Sequence, residues 1–125
     1  MAPAKNVLKP TVRIVLAIVI LACTAWVARS YWIKRQLILA ENQAVELQNQ
    51  EQYAQAVTAY EALLPKTTGE QAQRLRRNAA LCYAAMAEAP SLNLSDSLEL
   101  YRKAYALDPA AVTNPAILKR LQNPK

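Results

Sequence analysis

Hydrophobic positions follow two different patterns along the chain. Residues 14–28 form an uncharged, almost wholly apolar run, Ile-Val-Leu-Ala-Ile-Val-Ile-Leu-Ala-Cys-Thr-Ala-Trp-Val-Ala. From Gln36 onward the apolar residues instead recur in steps of three and four, the signature of one-sided helices. Leu37, Ala40, Ala44 and Leu47 trace the first such face, and Asn49, Gln50 and Glu51 break it. Tyr53, Ala56, Val57, Tyr60, Leu63 and Leu64 trace a second, which Pro65 ends. Thr67 and Glu70 have the spacing of a capping box for a third helix carrying Leu75, Ala79, Leu81, Cys82, Tyr83 and Met86. After a loop over residues 90–94, Ser95 or Asp96 is expected to cap a fourth helix with Leu98, Tyr101, Ala104, Tyr105 and Leu107 inward, closed by Asp108-Pro109. Asn114-Pro115 starts a short last helix, in which Ile117, Leu118 and Leu121 face the core while Lys119 and Arg120 stay in water. No stretch alternates with period two, so strands are not expected.

The apolar run is short for the ~20 residues of a membrane span, but its flanks extend it. The arginines at 13 and 29 can send their charged heads to the interface while their stems stay in the apolar zone. With those flanks, residues 12–33 reach about 33 Å as a helix. Trp26, Tyr31 and Trp32 gather towards one end, as interfacial aromatics do. Two rival uses of the segment remain open: a cleaved signal peptide, and a lipoprotein signal in which Ile20-Leu21-Ala22-Cys23 leads to lipidation of Cys23. All three readings put the rest of the chain at or beyond a membrane. The expected organisation is a basic tail over residues 1–11, a transmembrane helix over 12–33 and a helical domain over 37–125. The short, wholly basic N-terminal side suggests that this end is inside, which in a bacterium places the helical domain in the periplasm.

Charge sharpens this division. The net charge of the 125 residues is +6, and residues 1–35 hold six Lys and Arg with no Asp or Glu. The other 90 residues are neutral, with nine basic and nine acidic side chains. The basic excess therefore brackets the apolar run, where membrane-flanking charge belongs, and does not argue for nucleic acid. The chain has no His and one Gly, so the commonest general base and the phosphate-cradling loops are missing. Its two cysteines have no metal-binding spacing. No nucleophile stands beside a base, so the expectation is a chain that is not an enzyme and takes no cofactor, metal or small-molecule substrate.

Two of the helix pairs are alike. The first carries Tyr53-x-x-Ala56-x-x-x-Tyr60-x-x-Leu63. The second carries Asn78-Ala79-Ala80-Leu81-Cys82-Tyr83 and then Tyr101-Arg-Lys-Ala-Tyr-Ala-Leu-Asp-Pro109. This pattern resembles the tetratricopeptide repeat, a helix-turn-helix unit of about 34 residues. The resemblance covers about residues 37–70 and 71–110, with a capping helix over about 115–122. It departs from the family where the first pair lacks a closing Pro at the usual place, and where about five extra residues, 88–93, lengthen the second loop. It implies an all-α fold: an N-terminal transmembrane helix, then a short domain of antiparallel helical hairpins and a C-terminal capping helix. It further implies a peptide-binding groove lined by the first helix of each pair. By register that groove takes in Glu41, Val45, Gln48, Arg74, Arg77, Asn78, Leu81 and Ala84. Arg74 and Arg77 lie three apart on one face and are suited to an acidic segment or a carboxylate, or else to pairing with neighbouring carboxylates. The expected function is a membrane-anchored protein-interaction module, an adaptor or accessory subunit of a larger membrane complex. Its partners would be the bilayer and other proteins. The alternative is a periplasmic, translocon-associated, chaperone-like factor that binds exported chains.

Overall fold

The structure is a computed structural model that describes residues 9–123. Most of the expected basic tail, residues 1–8, lies outside the described residues. Among those residues the fold is all-helical, with no strand. Five α-helices follow one another: α1 (Pro10–Asn49), α2 (Tyr53–Leu63), α3 (Gly69–Ala87), α4 (Leu94–Leu107) and α5 (Pro115–Gln122). The chain forms two compact units, Met1–Gln36 and Leu37–Lys125.

The first unit is the apolar part of α1. Pro10 occupies the first helical position, where a missing N–H costs little. No Gly or Pro follows before the helix ends, so no residue in it breaks the hydrogen-bond ladder. This helix is long and apolar enough to cross a membrane. Its large apolar side chains are exposed all round: Ile14, Ile18 and Leu21 as much as Val15, Val19 and Trp26. The hydroxyl of Thr24 donates to the carbonyl of Ile20 at 2.7 Å, so this one polar side chain is satisfied within the helix.

The second unit begins with the last turns of α1. Its core unites Ala44 with Ala56, Tyr60, Leu75, Ala79, Ala80, Cys82 and Ala104. α3 is central, packing on α2 and on α4, while α5 packs against α4. Tyr60, Leu75 and Cys82 are the largest fully buried side chains. Alanines at the contacts let the helix backbones approach closely, as interiors packed to crystal-like density require. Ile117, Leu118 and Leu121 of α5 are half-buried against this core, with Lys119 and Arg120 exposed.

Turn chemistry explains the boundaries. α1 ends in a Schellman-type turn: the Gln52 N–H bonds the carbonyl of Leu47 at 2.9 Å and the Glu51 N–H that of Gln48 at 3.0 Å. Glu51 takes the left-handed conformation there, φ +63°, at a position glycine usually fills. Pro65 stops α2 as expected, by turning Leu64–Lys66 into a 3-10 segment. The start of α3 corrects the expected capping box. The Thr67 hydroxyl donates back to the carbonyl of Leu64 at 3.1 Å, and Thr68, the N-cap residue, makes no side-chain cap bond. The chain's single glycine, Gly69, supplies φ +64° as α3 begins. The cap of α4 is also corrected. Asn93, not Ser95 or Asp96, is the cap and accepts the Asp96 N–H at 2.8 Å, so the helix starts earlier than expected, at Leu94. Asp96 sits in the first turn instead, where a carboxylate favours the helix dipole. Asn114 caps α5 by accepting the Ala116 N–H at 2.9 Å. Leu81, expected in the partner-binding groove, is 43% exposed. The buried residues of α3 face α2 and α4, and Leu81 lies on the remaining side.

Candidate functional site

Of the residues expected to line a partner surface in the second unit, Glu41 and Arg74 are turned towards each other. Glu41, near the end of α1, is 7% exposed. A carboxylate so buried needs compensating partners. Arg74 supplies a fork: its Nε donates to Oε1 at 2.8 Å and its Nη2 to Oε2 at 3.1 Å. Gln71, three residues before Arg74 and therefore on the same face of α3, donates its Nε2 to Oε2 at 3.1 Å. The hydrogen bonds from Arg74, aided by Gln71 and opposed by burial, hold the Glu41 carboxyl below its ordinary range. The Arg74 side chain remains 53% exposed on its far side.

About two turns further along α1, Gln48 Oε1 accepts the hydroxyl of Tyr60 at 2.7 Å. Burial pushes this tyrosine up to about 12, and Asn78 stands beside it as a second polar neighbour. Gln48 and Asn78 are both half-buried. Arg77 is looser: its Nε lies 3.9 Å from Asp108 Oδ2, and its side chain is 67% exposed. Such a pair contributes little to stability. Val45 is half-buried and Ala84 buried. Glu41, Gln48 and Arg74 thus tie α1 to α2 and α3, while Arg77 and Leu81 remain the open part of the expected groove. In the sequence Glu41 reads as a surface residue, because its partners lie 30 and 33 positions away.

A second feature was not expected from the sequence. A groove of about 520 Å³ is lined by Tyr53, Ala54, Ala85, Met86, Leu92 and Leu100, with Glu51, Gln52 and Gln55 at one side. It is mainly apolar and of ligand-pocket size. Ala89, Ser91 and Leu92, which help to line it, belong to the extra loop residues between α3 and α4. That extra length was the available signal. The helices on either side of this loop are joined where the Ser97 hydroxyl of α4 donates to the carbonyl of Ala87, at the end of α3, at 2.6 Å. Elsewhere on α3, Tyr83 donates to Glu61, and the Lys103 ammonium lies 5.8 Å from the centre of its ring. Burial is the main reason this hydroxyl is pushed up to about 12.

In the first unit, Arg13, Trp26, Arg29, Tyr31 and Trp32 are all exposed along α1. Cys23 is exposed there too. Cys82 is the opposite case, a buried thiol that burial pushes up to about 11, which removes it from thiolate chemistry near neutral pH. Among the described residues no three His, Cys, Asp or Glu side chains come together as metal ligands would. No protein-family model, no curated protein and no solved structure matches the chain.

Proposed function

We propose that the chain is a single-pass membrane protein whose helical unit, of tetratricopeptide type, binds other proteins as an adaptor or accessory subunit of a larger membrane complex. One observation carries the reading. Thirteen large apolar side chains over residues 12–33 of α1 are exposed. Their transfer from water to a hydrocarbon phase is worth roughly 20 kcal/mol or more, at about 1.5–3 kcal/mol each. That exceeds the ~5–15 kcal/mol that holds a typical domain folded, so the segment belongs in lipid or against a partner. Arg13 and Arg29 with the aromatics Trp26, Tyr31 and Trp32 form the flanks that a span needs.

The interaction role is supported by the second unit. Its core includes Ala44, Ala56, Ala80 and Ala104, each fully buried, and the tetratricopeptide resemblance puts small residues at the first three, with Ser97 at the matching second-helix position of the second pair. Its open features, Arg77 with Leu81 and the groove by Met86, are surface features suited to a protein partner. Anchoring to a membrane confines the domain near such a partner and raises its effective concentration. In this reading the short, wholly basic N-terminal side stays inside and the domain lies on the far side of the membrane, which in a bacterium is the periplasm.

The test is affinity purification of the full chain from detergent-solubilised membranes, with its intact mass read from the same sample. A full-length mass, resistance to alkaline extraction and a stoichiometric membrane-protein partner are expected. A cleaved or lipid-modified mass would replace the span by a signal or a lipid anchor. A heterogeneous set of exported chains would replace the adaptor by a chaperone-like factor. Charge reversal at Arg77 with Leu81→Ser is the cleaner probe of the surface, because reversing Arg74 would also strand the Glu41 carboxylate.

A further inference from the structure

Among the described residues, the cations of the first unit form no ion pair. Residues 9–40 include Lys9, Arg13, Arg29, Lys34 and Arg35 and no Asp or Glu. The next carboxylate, Glu41, is already taken by Arg74 on both of its oxygens. The ion pairs among the described residues are Arg74 with Glu41, Arg77 with Asp108 and Arg102 with Glu99, so none involves these five. Arg29, Lys34 and Arg35 are all exposed.

Their spacing matters. At about 100° per residue, Arg29, Lys34 and Arg35 fall at roughly 0°, 140° and 240° around the helix. They surround it as a collar. Tyr31 and Trp32, 68% and 61% exposed, occupy roughly 200° and 300° between them. Along the axis the collar is about 9 Å tall, close to the ~5–8 Å headgroup layer on one side of a bilayer. The other end of the apolar run is different. Lys9 and Arg13 are four residues apart and share one side, without an aromatic between them.

We propose that this collar binds anionic phospholipid headgroups and selects them over zwitterionic ones. The inference rests on the membrane-span reading and adds a lipid preference to it. Guanidinium forks and an ammonium bond phosphate oxygens well, and a headgroup that carries its own ammonium offsets that attraction. Because the cations point in all directions, lipids can be held at any rotation of the helix. Residues 36–125 are neutral overall and add no net attraction of their own, and of the two cationic flanks the collar is the one that surrounds the helix with aromatics interleaved. Each cation near an anionic surface is worth about a fivefold gain in partition, reduced where the lipids mix freely.

The experiment uses the full chain in mixed phosphatidylcholine and phosphatidylglycerol vesicles containing a trace of spin-labelled lipid of either headgroup. The fraction of label held motionally restricted at the protein surface is measured by electron spin resonance. The phosphatidylglycerol label is expected to associate about threefold more strongly than the phosphatidylcholine label, a preference that shrinks as salt screens it. The triple variant Arg29→Gln, Lys34→Gln, Arg35→Gln is expected to bring the ratio close to one, and Lys9→Gln with Arg13→Gln to leave most of it. The single variants Lys34→Gln and Arg35→Gln, which disturb insertion least, are each expected to lower it in part. Equal restriction of both labels in the unaltered chain, or a preference that survives the triple variant or high salt, would overturn the proposal. No restricted component for either label would overturn the span itself, and the proposal with it.

Discussion

The two units put the same residue types to opposite uses. Ala22 and Ala25 in the first unit are exposed, whereas Ala44, Ala56 and Ala80 in the second are fully buried. Leu21 is 69% exposed and Leu75 wholly buried. Cys23 lies on the surface and Cys82 in the core. The arginines divide in the same way: among the described residues Arg29 pairs with no carboxylate, and Arg74 holds one in both prongs of its fork. Secondary structure does not separate the two regions, since both are helical. What differs is where the apolar surface goes. A helix apolar on one side buries that side against other helices, and a helix apolar on every side needs lipid or a partner around it. Residue type alone therefore says little about stability here until the surroundings of each position are known.

The sharpest way to break the comparison is to make one substitution in both units. Leu75→Ala leaves a cavity in the core and is expected to cost about 2–5 kcal/mol, seen as a fall in the melting temperature of the helical unit followed by near-ultraviolet circular dichroism. Leu21→Ala is expected to leave that melting unchanged and to weaken membrane insertion by well under 1 kcal/mol. Equal effects at the two sites would contradict the division. A charge gives the reverse contrast: Val19→Arg is expected to cost about 3 kcal/mol of insertion free energy in a translocon assay, with little change in the core.

Crowding makes a smaller difference. Ala80→Leu overpacks the core and is expected to cost about 1–3 kcal/mol in a denaturant titration, while Ala22→Leu is expected to cost nothing there. Smaller again is the cap of α4. Asn93→Ala is expected to lose about 1 kcal/mol, and Asn93→Asp to keep most of it, in the same titration.

Acid provides the finest comparison. The folded Glu41 carboxyl is held below its unfolded value, so its stabilisation is fully present above the ordinary carboxylate range. It is lost as pH falls through the lower folded value, because the unfolded chain takes up the proton first. Glu41→Gln is expected to flatten the acid side of the stability curve of the second unit below about pH 4.5 and to leave the first unit unaffected. An unchanged acid limb would mean that the Arg74 fork does not hold Glu41 ionised in solution.

Much of this fold is written in short-range signals. Pro65 and Asp108-Pro109 mark helix ends because proline removes a donor and clashes with the preceding turn, and Asn114-Pro115 marks a start because the fixed φ and missing N–H of proline suit the first helical position. The steps of three and four place Tyr60, Leu75, Cys82 and Ala104 inward for a similarly local reason. The signals that misled are those in which neighbours compete. Thr67 and Glu70 have the spacing of a capping box, but the Thr67 hydroxyl is taken by the carbonyl of Leu64 in the turn that Pro65 creates. Asn93, Ser95 and Asp96 can all cap a helix, and the loop between α3 and α4 brings Asn93 to the Asp96 N–H.

The sequence by itself determined that the chain is helical, that residues 12–33 are apolar on every side, and that the net positive charge surrounds that run. These follow from composition and from periods of three to four residues, which are local. Only the tertiary structure decided that Glu41 is buried in the fork of Arg74, that Gln48 accepts from Tyr60, and that a groove lies between the start of α2 and the loop after α3. Those contacts join residues 12 to 33 or more positions apart. Whether an exposed-looking polar residue meets a partner at that distance depends on how the helices pack, which no local pattern records.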